Sequence, residues 1–407
     1  MQQADTTQPS SVALSAAACD AELDNIARWW LRYGIDNTFG GFAAEISQDN
    51  RINNSAPKGL VLNARILWFF SEAAHYTGNP EYRAGAERAF AYIQRYFFDA
   101  QAGGYFWSLN PDGSVCDDKK QVYAQAFVIY ALAAYVEMCG DQSALEAAMQ
   151  CFALIEQHCV DREGEGYLEA YTRHWGVIDD VRLSEKDLNY PKTMNTHLHV
   201  VEAYTKLYQV HRTVEVGLAL AYGIDLIDKY MINRDSFHLR MFMGANWNDH
   251  SPEFTYGHDI ECAWLLYKAL VSLDDKDRIE RLLPDILALA RTCQREALDE
   301  FGAVLDGEVK ATGKVHRDRV WWVQAEAMVG FLYAWKLSQD ESYLRNAQML
   351  WSFIQQYQLD HEHGEWNWHC SLDEIDEDRD YKVGFWKGPY HNGRAMIEAA
   401  KLLQEKV

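Results

Sequence analysis

The stretch DAQAGGYFW, residues 99–107, closes one long apolar run and opens a loop with an Asp, a pair of glycines and a cluster of aromatics. Variants of it recur along the chain. Asp36 begins DNTFGGF, Asp161 DREGEGYLEAY, Asp235 DSFHLRMF, Asp299 DEFGAVL and Asp360 DHEHGEW, so that successive instances stand 63, 62, 74, 64 and 61 residues apart. A unit of that length holds two helices, and self-similarity at a near-constant period marks a ring or solenoid rather than a string of unrelated domains. Short polar turns lie between the instances at Gly78-Asn79-Pro80, Gly140-Asp141, His211-Arg212, Asp274-Asp275 and Gln339-Asp340. Each stops one apolar helix and caps the next. Long loops and short turns therefore alternate.

The 3.6-residue apolar period predicts helices over 20–34, 57–76, 81–98, 121–139, 143–160, 192–211, 215–232, 256–273, 276–298, 321–338, 341–358 and 390–405. These are twelve helices in six pairs. A linear solenoid needs polar caps at both ends, whereas here the first and last helices are as apolar and aromatic as the middle ones. Closure removes the ends. The expected fold is all-α, a single (α/α)6 barrel of six inner and six outer helices with short β-hairpins in the long loops. Residues 1–18 are expected to form a flexible tail, and 19–407 the barrel domain.

The composition agrees with one soluble globular unit: 48% of the 407 residues are hydrophobic and 24% charged. Lys plus Arg is 38 against 60 Asp plus Glu, a net charge of −22 that repels phosphate backbones and anionic lipid surfaces. Nucleic acid and membrane partners are not expected, and no window approaches ~18 consecutive apolar residues. The eight cysteines form no CxxC pair, the pattern of reduced thiols, and a cytoplasmic monomer is the default reading.

In such a ring the inner helices follow the long loops, and their first turns face one mouth. Just after those loops come Arg65, Tyr123, Asn195-Thr196-His197-Leu198-His199, His258-Asp259-Ile260-Glu261, Trp321-Trp322 and Tyr390-His391-Asn392. His258 and Glu261, three apart, share a helix face, so the carboxylate can hold one ring nitrogen while the other acts as a base. An exposed ion pair at a helix N-terminus is the alternative. His197 and His199 are about 200° apart around a helix and cannot both face the mouth; i, i+4 alignment with Asn195 favours His199 and leaves His197 to the core. No metal is expected, since HxxxH or HxxE needs further ligands nearby. His391, at a helix start beside Pro389, says little taken singly. Trp321, Trp322 and Trp386 offer faces on which sugar rings stack. Arg65 is costly among Leu, Ile and Trp unless it is paired or used at a cavity. The acidic run 373–380 lacks the EF-hand spacing for calcium and reads as a solvated loop.

The runs KTMNTHLHVVEAYT (192–205), YGHDIECAWLL (256–266), WWVQAEAMVGF (321–331) and FWKGPYHNGRAMIEA (385–399) resemble those of the cellobiose 2-epimerases, and more broadly the N-acylglucosamine 2-epimerases and aldose–ketose isomerases. The likeness runs from about Ala21 to the C-terminus. It implies an (α/α)6 barrel that epimerises C2 of the reducing-end glucose of β-1,4-linked disaccharides, cellobiose to glucosyl-mannose and lactose to epilactose, with no metal or redox cofactor. By motif, His258 and His391 resemble the two acid/base histidines, His199 and Arg65 the groups around the reducing-end oxygens, and Trp386 the stacking platform. Asn195, Asp187, Tyr123, Glu261 and Trp321 match positions that bind or orient substrate. Gly388, in WKGPYHNGR, departs from the Cys or similar residue expected there. An aldose–ketose isomerase or an N-acylglucosamine 2-epimerase is the near alternative. A glycoside hydrolase using carboxylates among Asp187, Asp259, Glu261 and Glu326 is the distant one, with a non-catalytic sugar-binding barrel beyond it.

Overall fold

The computed structural model describes residues 12–372 and 381–405; the acidic run 373–380 and most of the expected tail lie outside these. Among the described residues twelve α-helices alternate with loops: α1 (Ala16–Tyr33), α2 (Leu60–Thr77), α3 (Pro80–Tyr92), α4 (Val122–Cys139), α5 (Gln142–His158), α6 (Met194–Val210), α7 (Val214–Leu226), α8 (Tyr256–Leu273), α9 (Lys276–Glu296), α10 (Trp321–Ser338), α11 (Glu341–Phe353) and α12 (Tyr390–Gln404). Each falls within a few residues of the range its periodicity predicts. Helices α3, α7 and α11 end in single π turns. Helix α1 starts earlier than expected, inside residues 1–18, because Ser15 caps it by accepting from Ala18 N and the alanines that follow favour helix without adding to the apolar period.

The even-numbered helices pack in a cycle: α2 on α4, α4 on α6, α6 on α8, α8 on α10, α10 on α12, and α12 back on α2. The odd helices lie outside, α3, α5, α7, α9 and α11 each on the helix before it, and α1 on α12. Sequence decides the layer. LVLNARILWFFSEAA in α2 is buried at every position, as a helix apolar all round must be. Helix α9 buries only a stripe that includes Leu282, Ile286, Leu289, Ala290 and Cys293. Helix α4 is apolar enough by length and composition to cross a membrane, with a mean hydropathy of 1.5, yet 78% of it is buried inside the cycle.

Three of the long loops carry the expected short hairpins, Ser108–Leu109 with Val115–Asp117, Ile232–Asn233 with His238–Leu239 and Gly307–Val309 with Lys314–His316, and pairing between loops is added to them. Most of their two- and three-residue strands pair with the next loop: Lys58–Gly59 with Ser108–Leu109, Lys120–Gln121 with Ala170–Tyr171, Lys192–Thr193 with Phe242–Met243, and Glu253–Thr255 with Gly307–Val309. Val320 bridges His369, and Tyr381–Val383 pairs with Ile46–Ser47. The loops all lie at one end of the helices, so their exposed edges meet their neighbours'. The same contacts cap the inner helices: the first N–H of α2, α4, α6, α8 and α10 donates to Trp107, Glu169, Met241, Asp306 and Trp368 carbonyls, each 2.9–3.0 Å away in the following loop.

The repeated Asp builds each loop's first turn. Asp36 Oδ1 accepts from Thr38 N and Phe39 N, and Oδ2 from buried Lys58, 2.7 Å away and two residues before α2. Asp99–Lys120, Asp161–Lys192, Asp299–Arg319 and Asp360–Lys382 repeat the pair. The fourth unit departs from the sequence reading. There Asn233, not Asp235, holds the equivalent place, its side chain accepting from Asp235 N. Phe254 stands where the cation would be, two residues before α8, stacked 3.5 Å from His238. Acid and base are replaced together by a neutral pair.

Candidate active site

The first turns of the inner helices surround a cavity of about 500 Å³. All ten residues singled out above line it: Arg65, Tyr123, Asp187, Asn195, His199, His258, Glu261, Trp321, Trp386 and His391. Their positions form two levels. Tyr123, Asn195, Trp322 and His391 are the second residues of their helices, and Arg65, His199 and Glu261 the sixth, one turn deeper on the same face. Asp187 comes instead from the loop before α6, the longest of the repeats, where its carboxylate accepts from Ser184 N at 2.8 Å and burial pushes it above the ordinary carboxylate range.

Each of the three cavity histidines uses Nδ1 behind it and turns Nε2 to the cavity. His391 Nδ1 donates to Glu326 Oε1 at 2.6 Å, and His199 Nδ1 to Glu202 Oε2 at 2.8 Å. His258 corrects the expected pairing. Its Nδ1 meets Thr255 Oγ1 at 2.5 Å, while Glu261 accepts instead from Arg394 Nη2 at 2.5 Å. Helical side chains lean toward the N-terminus, so His258 reaches back to the Thr before α8, and Glu261 is drawn to a guanidinium. The His-x-x-Glu spacing pairs as anticipated, but at His199 and Glu202. His197 stays in the core: Nδ1 donates to Thr193 O at 2.6 Å, Nε2 accepts from Tyr167 N at 2.9 Å, and burial holds it down to about 4.

Beneath the cavity lies Arg394, 1% exposed. It donates to Glu202, to Glu261, to Glu326 at 2.7 Å and to the Tyr390 hydroxyl, joining three carboxylates from three helices. Burial, and then the proximity of His199, pushes His258 down to about 3. Burial and the nearby guanidinium groups hold His391 well below the ordinary imidazole value. Both rings are therefore neutral near pH 7. Burial raises Glu261 to about 7, reinforced by Glu326; Glu202, against the effect of burial, is held down to about 2 by Arg394 and His199. Glu261, Glu326 and His391 offer ligand atoms within 4.8 Å of one another, but both carboxylates already accept from Arg394, whose fixed charge opposes a cation there.

Arg65 enters from α2, the neighbour of α12. Nη1 donates to Trp386 O at 2.6 Å and Nη2 to Tyr123 Oη at 2.9 Å, with its guanidinium over Phe127 and Tyr390. Trp322 neighbours both His258 and His391, with ring centroids 4.8 and 5.6 Å away. Trp321 leans on Trp368 at 4.3 Å, and Trp386 lies 6.0 Å from Trp107. A Cβ at Gly388 would come within 2.7 Å of Leu62 Cδ1, so a larger residue there requires that side chain to shift. Asp259 faces away, held by His238 and Leu239 N.

Neutral imidazoles, an arginine and a wall of indoles around one cavity are the equipment of a carbohydrate epimerase or isomerase, and comparison with known proteins agrees. The model of the N-acylglucosamine 2-epimerase (GlcNAc 2-epimerase) family matches residues 40–392, and the chain belongs to that family. It is 40% identical to the cellobiose 2-epimerase of Bacteroides fragilis, covering 92% of this chain and 95% of that one. To the Ruminococcus albus cellobiose 2-epimerase it is 36% identical, with coverage of 92% and 95%. The solved cellobiose 2-epimerase of Bacillus thermoamylovorans superposes with a TM-score of 0.89 at 33% identity, over 95% of this chain and 98% of that one.

Sequence reasoning passed over Glu202, Thr255 and Arg394. Glu202 was legible, three residues after His199, and Arg394 stands in the quoted HNGRA run. The spacing alone does not say which carboxylates a buried arginine gathers.

Proposed function

We propose that this chain is a closed (α/α)6 barrel that epimerises C2 of the reducing-end glucose of β-1,4-linked disaccharides such as cellobiose and lactose through an enediolate, with no metal or redox cofactor. The observation that carries the reading is that the cavity-facing nitrogens of His258 and His391 share one pocket and one neighbour, Trp322. The cyclic packing of the inner helices supports the barrel, and the similarity to cellobiose 2-epimerases supports the disaccharide.

Inverting C2 requires opening the ring, removing a weakly acidic proton and returning one to the opposite face of a planar intermediate. That takes two acid/base groups, and a neutral imidazole serves as either. Negative charge on the forming enediolate raises the proton affinity of the attacking ring. Glu326 behind His391 stabilises the imidazolium so formed, whereas the Thr255 hydroxyl can donate to or accept from His258 and so suits either direction of transfer. Arg65 faces the developing oxyanion; donors of that kind contribute a few kcal/mol each. His199, with Glu202 behind it, assists ring opening and holds the reducing-end oxygens. Trp386 stacks on the sugar, and Tyr123, Asp187, Asn195, Glu261 and Trp321 orient it.

Incubation with cellobiose in deuterium oxide tests the reading. NMR should show glucosyl-mannose carrying deuterium at C2. Unlabelled epimer, or two free hexoses, would overturn it. The hydrolase alternative is weakened by Glu261 and Glu326, which share one guanidinium below the cavity instead of flanking a scissile bond.

A further inference from the structure

We propose that Arg394 is a positioning residue whose positive charge keeps the cavity-facing Nε2 of His391 free of a proton. The inference rests on reading His391 as an acid/base group and carries it one layer below the cavity.

Arg394 is the hub of the buried charges. Its guanidinium lies 4.7 Å from the Trp264 ring and 4.3 Å from the Tyr390 ring, and it donates to Glu202 from α6, Glu261 from α8, Glu326 from α10 and Tyr390 from its own helix. Two of these carboxylates hold histidines: Glu202 takes His199 Nδ1 and Glu326 takes His391 Nδ1. The charged and titratable groups facing His391 are Glu326, Glu261, Arg394, Arg65, His199 and His258. Arg65 also faces His391 and lies over the same Tyr390 ring, 5.0 Å away, but it donates to Tyr123 Oη and the Trp386 carbonyl, so Arg394 is the cation bonded to the carboxylates.

Without that cation, three buried carboxylates would confront one another at short range, and buried like charges do not all remain ionised. Glu261, already raised to about 7, takes up one proton, which leaves Glu202 and Glu326 still opposed, and that pair has two ways of relief. A histidine takes up a proton and becomes imidazolium. Otherwise Glu326 takes one, and its new hydroxyl donates to His391 Nδ1, which drives the ring's own proton to Nε2. Both routes place hydrogen on the nitrogen that must be bare to act as a base.

The test is the tautomer of the His391 ring, read by two-dimensional ¹H–¹⁵N NMR on the full-length protein at pH 7 without sugar, in wild type, R394Q and R394K. The lysine variant restores the charge with fewer donors, so it separates the effect of charge from that of the guanidinium's shape. Bare Nε2 is expected on His391 in wild type and in R394K, and protonated Nε2 in R394Q. In R394Q, kcat at pH 7 should fall about 10²–10⁴-fold, the usual range for losing a general base, with KM little changed and partial recovery at higher pH. Bare Nε2 in a folded R394Q, or protonated Nε2 in R394K, would overturn the proposal. Should wild type fail to epimerise any sugar, the proposed function falls while the tautomer measurement still decides the role of Arg394.

Discussion

His238 donates through Nδ1 to Asp259 Oδ2 over 2.7 Å, and Asp259 is the residue next to His258 in the first turn of α8. Asp259 Oδ1 also accepts from Leu239 N at 2.8 Å, while His238 Nε2 faces Glu296 at 3.1 Å. The cavity side of α8 is thus steadied from behind by a histidine between two carboxylates. Burial works against charge on His238, but Asp259 and then Glu296 raise it above its ordinary value.

A raised histidine contributes stability that is fully present below its unfolded value of about 6.5 and is lost as pH rises through the folded one. Urea unfolding of wild type and H238Q should therefore show a larger wild-type advantage at pH 6 than at pH 8.5. A gap that is constant or widens with pH would show that the histidine acts only through shape.

The acid/base pair gives a direct expectation. H258A and H391A should each remain folded by circular dichroism and lose about 10²–10⁴-fold in kcat for epimerisation. Retained turnover in either variant removes that ring from the chemistry.

E326Q keeps the shape behind His391 and removes the charge that stabilises its imidazolium. Turnover should fall by about 10²–10⁴-fold with KM nearly unchanged, by analogy with the loss of a carboxylate orienting a catalytic histidine. A change confined to KM would assign Glu326 to binding.

R65M should lower kcat by about 10²–10³-fold, the range for losing one oxyanion donor, and alter KM far less. Steady-state kinetics on cellobiose separates the two.

The repeat itself supplies a stability test. Lys58 is 2% exposed, and K58M strands Asp36 in a buried place, at a cost of about 3–5 kcal/mol. The fourth unit shows the alternative in Asn233 and Phe254, so D36N/K58F should be more stable than K58M alone. Denaturant melts of the single and double variants would show whether the effects add.

Much of this was legible in the chain. Twelve helices, their order and the shared mouth follow from apolar periodicity and from the recurring Asp, because burial on all sides and burial on one stripe leave different patterns. The i, i+4 step from Asn195 to His199 picked out the one of two histidines that faces the cavity. What escaped depends on competition in three dimensions. Glu261 shares a face with His258, yet a buried guanidinium from a helix more than a hundred residues away holds it more strongly. In the fourth unit Asp235 imitates the motif, but Asn233 is the residue that follows the bridge between Ile232 and Leu239, a distinction set by backbone pairing. The pairing of strands between loops escaped for the same reason, since two-residue strands carry no record of which neighbour they meet.

The clasp between each loop and the helix before it has a dynamic corollary. Leu60, Val122, Met194, Tyr256 and Trp321 each tie their amide hydrogen to the neighbouring unit, so none can fray without loosening the next. The walls of the pocket are then expected to open as a single body, and their five amides to exchange with solvent at one common, slow rate.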